Sequence, residues 1–228
     1  MAIICREKRL LFILAPHTAS TAIGVLLRDE LGGEWLPPEE VRDANGRITV
    51  KRKHTTLREL LAANLLSADE RAGLITFSAV RNPFDTLVSL YLKHSVKDQV
   101  LLEKPDAWIH GRERKLDNLD FCRDHTFAEW IEHVHAPRWQ DRFRGRAARL
   151  ARWPYDKGID EIMRYEHLQD GFDAVLRKAG IAEHHEIPKE NVTAVRAGRD
   201  YRDFYSARTR RLVEVAYADH LAKYGYSF

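Results

Sequence analysis

Two short apolar segments, each followed by a polar loop and then by a helical pattern, constrain the fold of this chain most strongly. Residues 9–14 read as a buried strand, residues 16–21 form a polar loop, and residues 22–31 have a helical pattern. Residues 74–80 predict a second buried strand, and Asn82-Pro83 then begins a helix as a cap and first-turn pair. Strands that alternate with helices form parallel sheets, so the pattern predicts an α/β fold.

The rest of the chain continues this alternation. A β-hairpin is predicted around Asn45-Gly46 within residues 41–50, and a further strand over residues 159–165. Helices are predicted over residues 55–66, 83–94, 126–135, 168–179 and 206–223. Residues 96–120 are polar and lack a clear period, which predicts an irregular loop that shapes a substrate pocket.

Length and composition exclude several classes of protein. A chain of 228 residues with 44% hydrophobic residues builds a sizeable core, which predicts a single domain over residues 1–228. No apolar run approaches the roughly 20 residues of a membrane span, and the run before Pro16-His17 is too short for a signal peptide. Cys5 and Cys122 are too few for a disulfide framework or a cysteine-rich zinc site, so we expect a reduced, cytoplasmic setting.

The net charge of +3 hides three basic stretches. The first basic stretch, residues 47–58, and the second, residues 138–152, each carry a formal charge of +5, and the third, residues 196–211, carries +4. The remainder of the chain therefore carries −11. Such isolated stretches suit a compact anion better than a long polyanion, although either ligand is compatible with them.

The loop over residues 16–21 is a candidate cradle for a phosphate or sulfate group. A loop between a strand and a helix N-terminus presents free backbone N–H groups and the positive end of the helix dipole. Thr18, Ser20 and Thr21 add hydroxyl groups. The Gly-x4-Gly-Lys-Ser/Thr pattern of a P-loop is absent, and the alternative interpretation is a plain helix N-cap rich in serine and threonine.

Arg81 lies where the second strand ends, and Ser89 lies two turns into the helix that follows. An arginine at the carboxyl end of a strand is placed to bind a phosphate with its planar fork. The alternative is an ion pair between Arg81 and a nearby carboxylate such as Asp85.

Together the two junctions resemble those of the sulfotransferases that use 3′-phosphoadenosine 5′-phosphosulfate (PAPS). The family loop Pro-Lys-Thr-(Ala/Gly)-(Ser/Thr)-Thr corresponds to Pro16-His17-Thr18-Ala19-Ser20-Thr21, and its last four residues are similar to heparan sulfate 2-O-sulfotransferases. The family motif Val-Arg-(Asn/Asp)-Pro with a later Ser-x-Tyr corresponds to Val80 to Pro83, Ser89 and Tyr91. Further segments resemble soluble, bacterial-type members: Lys53-His54-Thr55-Thr56, Met163-Arg164-Tyr165-Glu166 with Leu168, Asn191, Tyr205, Tyr217 and Gly225-Tyr226-x-Phe228.

The resemblance implies a P-loop-like three-layer fold with a central parallel sheet flanked by helices. It implies that Pro16, His17, Thr18, Ala19, Ser20 and Thr21 hold the 5′-phosphosulfate of PAPS, and that Arg81 and Ser89 hold its 3′-phosphate. Arg196 and Arg199 are further candidates for contact with the nucleotide, against the alternative of a solvated helix face. The products are a sulfate ester and adenosine 3′,5′-bisphosphate.

His54 is the candidate general base, because a neutral imidazole takes up the hydroxyl proton near pH 7. We expect the neighbouring cations to lower its pKa and keep it neutral. The alternative is a solvated histidine among Lys51, Arg52 and Lys53. One position departs from the family, since His17 replaces the loop lysine; His17 itself, Lys51 or Lys53 then supplies the missing positive charge.

The acceptor is expected to bear a hydroxyl group and to be a carbohydrate or a small molecule, with an anionic carbohydrate as one option. The second basic stretch is either a site for an anionic acceptor or plain surface. We expect no metal and no nucleic-acid partner. The rival hypotheses are a P-loop-like kinase or NTPase, a non-catalytic anion-binding module, and a sulfotransferase fold that has lost activity through His17.

Overall fold

Two buried strands open the chain and lie at the centre of the sheet. The structure, a computed structural model, describes residues 2–104, 106–107, 109–110, 113–135, 153–188, 196 and 198–228. Strand β1 (Ala2–Cys5) pairs antiparallel with β2 (Leu10–Ile13), and every residue of both strands is buried. The four residues between them are exposed and polar, and Arg9 makes the tight turn with φ 54°. The apolar run AIIC of β1 was not predicted as a strand.

The remaining strands are β3 (Glu34–Leu36), β4 (Val41–Arg42), β5 (Ile48–Val50), β6 (Ile75–Val80) and β7 (Glu161–Arg164). The main sheet has the order β3-β1-β2-β6-β7, with β2, β6 and β7 parallel to one another. Strand β1 is antiparallel to both β2 and β3, so β3 points the same way as β2, β6 and β7. Four of the five strands therefore have one direction. The predicted parallel sheet is confirmed, with β1 as its one reversed strand, and β4 and β5 form the predicted hairpin.

The α-helices of the described residues cover most of the predicted helical segments. They are α1 (Ser20–Glu30), α2 (Leu57–Ala62), α3 (Ala68–Ala72), α4 (Pro83–Leu92), α5 (Glu113–Asp124), α6 (Phe127–His135), α7 (Leu168–Lys178), α8 (Ala207–Ala216) and α9 (Ala218–Tyr224). The predicted caps hold: the Asn82 side chain accepts a hydrogen bond from the Phe84 N–H, and Thr126 and Glu129 form a capping box.

One helix prediction and one loop prediction were wrong. The single helix predicted over residues 206–223 is broken at Tyr217, which ends α8 with φ −111° and precedes α9. The segment predicted as an irregular loop, residues 96–120, contains the end of a π-helix (Lys93–Lys97), a 3-10 turn (Gln99–Leu101) and the first two-thirds of α5. Helix α5 is polar overall, and its order comes from buried Leu119 and Cys122 and from a hydrogen bond between the Trp130 Nε1–H and Asn118.

The described residues group into two compact units. The first unit runs to Arg81 and resumes at Trp153, and its sheet is covered on both faces. Helices α1 and α7 pack on one face around Phe12 and Phe77, and α2 with Tyr155 packs on the other face around Leu11 and Ile13. This gives the three layers expected of the P-loop-like fold. The expectation of one domain over residues 1–228 stays a prediction.

The second unit comprises the described residues from Asn82 to His135 and from Arg196 to Phe228, and it has an aromatic core. Phe84, in the first turn of α4, is fully buried and contacts the rings of Tyr205 and Phe228 edge to face. The Asn82 side chain also donates hydrogen bonds to the Tyr201 hydroxyl (3.4 Å) and the Ser227 carbonyl (3.2 Å). The start of α4 is therefore held by residues from the far end of the chain.

Asp160 ties β6 to the start of β7 in the first unit. One carboxylate oxygen accepts from the N–H and hydroxyl of Thr76 (2.8 and 2.9 Å), and the other accepts from Arg71 (2.9 Å). Burial alone would raise the pKa of Asp160, but these hydrogen bonds outweigh it and hold the pKa below 3.8.

We predict that Asp160→Asn lowers the free energy of unfolding by about 1–2 kcal/mol at neutral pH, because hydrogen bonds to an ionised group are lost. A carboxylate with a lowered folded-state pKa stabilises the fold above its ordinary pKa and loses that effect as the pH falls through the folded-state value. Urea unfolding at pH 7 and pH 3 measures this effect. The difference in the free energy of unfolding between wild type and the variant should be smaller at pH 3. The exposed Asp29→Asn is the control. An equal difference in the free energy of unfolding at both pH values would contradict the role of the charge.

Candidate active site

The loop between β2 and α1 has an unusual backbone. His17 and Ala19 both adopt the left-handed region, with φ 63° and 53°, and α1 begins directly afterwards at Ser20. Non-glycine residues rarely adopt this conformation because the Cβ crowds the backbone. Two such residues in three positions mean that the surrounding contacts impose the path of the loop.

The contacts that shape the loop come from its own hydroxyl groups. Thr18 Oγ1 and Ser20 Oγ both donate to the Ala15 carbonyl, at 3.0 and 2.8 Å, and both side chains are buried. These hydroxyl protons are thus engaged inside the loop, whereas Thr21 is exposed. In this conformation Thr18 and Ser20 offer an anion their backbone N–H groups rather than their hydroxyl protons.

The start of α1 is electrostatically suited to an anion. Ala22 and Ile23 donate their N–H groups to the Ala19 carbonyl, so the N–H groups of Ser20 and Thr21 belong to the open first turn. The first turn has no acidic residue, and none occurs from residue 10 to residue 27. The positive end of the helix dipole is therefore not neutralised by a local carboxylate.

Arg81 lies beside this loop, at the carboxyl end of β6. Its Nη1 donates to the His17 carbonyl at 3.1 Å, and its guanidinium centre lies 4.1 Å from the centroid of the Tyr165 ring. Tyr165 follows β7, so the arginine is held between the ends of two neighbouring strands. The sequence analysis placed Tyr165 in a family motif but did not predict that its ring stacks on Arg81. The position of a tyrosine directly after a strand is the signal that could have indicated this contact.

His54 lies in a turn between β5 and α2 that is fixed on both sides. The fully buried Thr55 donates its hydroxyl to the Lys51 carbonyl, and Thr56 forms a capping box with Glu59 at the start of α2. His54 itself has φ 59°, again in the left-handed region. The turn therefore presents the imidazole from a constrained backbone position.

The His54 ring contacts the same strand end that carries the loop. Its Nδ1 lies 3.4 Å from the Leu14 carbonyl, and its ring meets the Tyr155 ring edge to face at 6.4 Å. With Nδ1 as the donor to this carbonyl, Nε2 carries the lone pair. Desolvation lowers the pKa of His54 below 6.5, the Leu14 contact opposes this, and Lys53 and Lys51 lower it further. The predicted direction is thus confirmed, but desolvation and not the cations is its main cause, even though His54 is exposed by its surface area.

The comparisons with known proteins agree with this arrangement. A family model described as the sulfotransferase family matches residues 1–226. The chain belongs to the sulfotransferase family. Searches of the curated proteins and of the solved structures gave no significant match.

This membership assigns the chemistry in general terms. The protein is a transferase that moves a sulfuryl group to a hydroxyl-bearing acceptor. In the first unit of this sulfotransferase, the loop, Arg81 and His54 meet at the carboxyl ends of parallel strands, where ligands of α/β proteins bind. Lys53 and Lys51 are exposed in the turn that carries His54. That one of them replaces the loop lysine stays a prediction.

Three of the predicted site residues belong to the second unit of the sulfotransferase. Ser89 lies on α4 and is 8% exposed. Arg196 forms an ion pair with Asp85 and donates its Nε to the Arg199 carbonyl at 2.6 Å, while Arg199 stacks on Phe204 at 4.2 Å. The alternative of a solvated helix face describes Arg208, Arg210 and Arg211 of the third stretch, which are exposed on α8, whereas Arg196 and Arg199 precede that helix. Their contact with a nucleotide stays a prediction.

Two further sequence expectations lie outside the described residues, the second basic stretch and Asn191. Within the described ranges, no cluster of three or more His, Cys, Asp or Glu side chains is placed to hold a metal ion. No helix in those ranges has the length and apolarity needed to cross a membrane.

The left-handed residue before α1 leads to a prediction. We expect Ala19→Gly to preserve both stability and affinity for adenosine 3′,5′-bisphosphate, because glycine adopts φ 53° without steric cost. Ala19→Val should lower the free energy of unfolding by about 1–2 kcal/mol and weaken binding. Thermal unfolding and calorimetry measure both effects. Ala174→Gly, inside α7, is the control and should cost about 1 kcal/mol. A loss of the same size for Ala19→Gly would show that the left-handed geometry is unimportant.

Proposed function

We propose that this sulfotransferase takes the sulfuryl group from PAPS and transfers it to an acceptor hydroxyl with His54 as the general base. The observation that carries the proposal is the attachment of His54 and Arg81 to the β2–α1 junction, through the Leu14 carbonyl (3.4 Å) and the His17 carbonyl (3.1 Å). A base, a phosphate-binding arginine and an anion-binding helix start are the groups that transfer from a phosphosulfate needs.

The loop and the start of α1, from Pro16 to Thr21, bind the 5′-phosphosulfate. Backbone N–H groups at the helix start compensate the charge that develops on the leaving phosphate. His17 is exposed on this loop and takes the position of the family lysine. Lys51 and Lys53, which are exposed in the turn that carries His54, add positive charge to the site.

Arg81 and Ser89 bind the 3′-phosphate that distinguishes PAPS from ATP and AMP. The face of the Arg81 guanidinium rests on Tyr165, which holds the planar fork in place beside the β2–α1 loop. Arg196 and Arg199 are proposed to contact the nucleotide as well.

His54 removes the proton from the acceptor hydroxyl. Its Nδ1–H is directed to the Leu14 carbonyl, so Nε2 receives the proton as the acceptor oxygen forms its bond to sulfur. The bond from sulfur to the 5′-phosphate oxygen breaks on the opposite side. The products are the sulfate ester and adenosine 3′,5′-bisphosphate, and His54 later returns its proton to solvent.

The assignment of Arg81 is tested by nucleotide binding. Arg81→Ala should weaken adenosine 3′,5′-bisphosphate binding by roughly 10- to 100-fold, since hydrogen bonds between two charged groups are lost. It should weaken AMP binding far less, and Arg81→Lys should restore little because it lacks the fork. Isothermal titration calorimetry gives the ratio of the two affinities. The exposed Arg177→Ala is the charge-matched control, and an unchanged ratio in Arg81→Ala would remove the arginine from the 3′-phosphate site.

The assignment of His54 is tested by enzyme turnover. A panel of glycan and small-molecule hydroxyls is first assayed with PAPS, and the pH dependence of turnover is then measured with an acceptor that reacts. Because the pKa of His54 is lowered, the active neutral form persists below pH 6.5 and activity should fall only on the acid side of that value. His54→Gln should lower kcat by roughly 100- to 10,000-fold, with little change in adenosine 3′,5′-bisphosphate affinity. The exposed His133→Gln is the control. Wild-type turnover in His54→Gln would exclude the base role.

A further inference from the structure

The imidazole of His54 needs more than one contact to act as a base. Its Nδ1 lies 3.4 Å from the Leu14 carbonyl, which sets the tautomer. This contact does not by itself fix the tilt of the ring, because the terminal side-chain torsion of histidine has a broad energy well. By its surface area His54 is exposed, so the core does not enclose the ring. A general base nevertheless needs a fixed direction, since Nε2 must lie within hydrogen-bond distance of the acceptor hydroxyl.

The ring of Tyr155 provides a second contact to the imidazole. The rings of Tyr155 and His54 meet edge to face, with their centroids 6.4 Å apart and an angle of 74° between their planes. Aromatic rings favour this arrangement over a parallel sandwich. The Leu14 carbonyl and the Tyr155 ring come from different elements of the first unit, and together they restrain both the tautomer and the tilt of His54.

Tyr155 is itself held by the core of the first unit. It lies in a 3-10 turn (Pro154–Asp156), is half-buried, and packs against the apolar cluster on the α2 face of the sheet, which includes Leu57 and Leu60. The ring of Trp153 meets the ring of Tyr155 edge to face at 5.3 Å. Tyr155 therefore rests on the same cluster as the helix that follows the His54 turn.

The chain that follows Tyr155 is anchored to the sheet. Arg71 donates to the Gly158 carbonyl and to the Asp160 carboxylate, both at 2.9 Å. Asp160 accepts from the Thr76 N–H of β6 at 2.8 Å. The turn that carries Tyr155 is thus connected over a few residues to a rigid part of the fold, as a positioning group requires.

The phenol of Tyr155 stays uncharged beside the base. Burial raises the pKa of Tyr155, and the Glu59 carboxylate raises it further. A phenolate at this place would favour the charged imidazolium, whereas a neutral ring keeps water from one side of His54. Desolvation is the main cause of the lowered pKa of His54, to which Lys53 and Lys51 of its own turn add. The Tyr155 ring accounts for part of this desolvation, because it lies directly against the imidazole.

We propose that Tyr155 is a positioning residue for sulfuryl transfer, whose ring holds the imidazole of His54 in the direction of the acceptor hydroxyl and shields it from water. The ring and not the hydroxyl of Tyr155 has this role. The inference rests on the proposed function, in which His54 is the general base. It adds a residue that lies about one hundred positions further along the chain and that no motif near His54 indicates.

The test compares two substitutions of Tyr155. Tyr155→Leu keeps an apolar side chain against the core but removes the ring, and Tyr155→Phe keeps the ring but removes the hydroxyl. The control is Leu65→Ala, because Leu65 packs, partly buried, against the same apolar cluster. Nuclear magnetic resonance of the histidine rings gives the titration and the tautomer of His54 without any acceptor. Turnover with PAPS at varied pH gives kcat and KM, and thermal unfolding gives the loss of stability.

We expect Tyr155→Leu to lower kcat by roughly tenfold, as a misdirected base does. The acceptor KM and the affinity for adenosine 3′,5′-bisphosphate should stay close to wild type. The titration midpoint of His54 and the acid limb of kcat should both move up towards pH 6.5, because water then reaches the ring and the charged form is less disfavoured. Tyr155→Phe should behave as wild type in both measurements. Leu65→Ala should lower the unfolding temperature and leave the titration and kcat unchanged.

The proposal is overturned if Tyr155→Leu keeps the wild-type kcat and the wild-type titration of His54. It is also overturned if Tyr155→Phe loses as much as Tyr155→Leu, since the hydroxyl would then be responsible, or if Leu65→Ala shows the same losses, since they would then follow from lower stability. If Tyr155→Leu does not fold, nuclear Overhauser effects between the two rings of the wild-type protein test the contact, and their absence overturns the proposal. Wild-type turnover in His54→Gln would instead overturn the proposed function, while the titration of His54 still tests the effect of the Tyr155 ring.

Discussion

The carboxyl end of β2 is the constraint on which the candidate site depends. This strand is fully buried and is paired on both sides, by β1 and by β6, so its end is held firmly in the sheet. The next backbone carbonyls serve as anchors: Leu14 contacts His54, Ala15 accepts from Thr18 and Ser20, and His17 accepts from Arg81. Backbone carbonyl groups need hydrogen-bond partners, and here the partners are the loop's own hydroxyls and the side chains of Arg81 and His54.

The same constraint explains the strained backbone. His17, Ala19 and His54 all adopt positive φ, and each lies next to one of these anchoring contacts. Strain of this kind persists when surrounding hydrogen bonds impose it. In this sulfotransferase it turns the loop toward the start of α1 and presents the imidazole from the turn before α2. The cost in backbone energy is offset by the contacts that the rigid strand end provides.

Sequence patterns predicted much of the fold because they report local order. The apolar runs of β2 and β6, the cap at Asn82 and the capping box at Thr126 all act over a few residues, and all are present. Strand β1 was missed because four apolar residues have no period to detect and its neighbour is joined by a turn instead of a helix. Helix α5 was missed because its order comes from Leu119, Cys122 and Asn118 contacting distant residues.

The sequence by itself determined the α/β alternation, the two strand-to-helix junctions and the residue types that they carry, because these follow from local periodicity and capping. It also indicated the sulfotransferase family through the order of its motifs. The tertiary structure decided which hydroxyls shape the loop and which tyrosine supports Arg81. It also decided that most arginines of the third basic stretch form ion pairs. These depend on contacts between residues far apart in the chain, such as Arg81 with Tyr165 and Arg196 with Asp85, and no local pattern encodes such pairs. Formal charge is a sum over residues, whereas the charge that a ligand meets depends on how the fold pairs them.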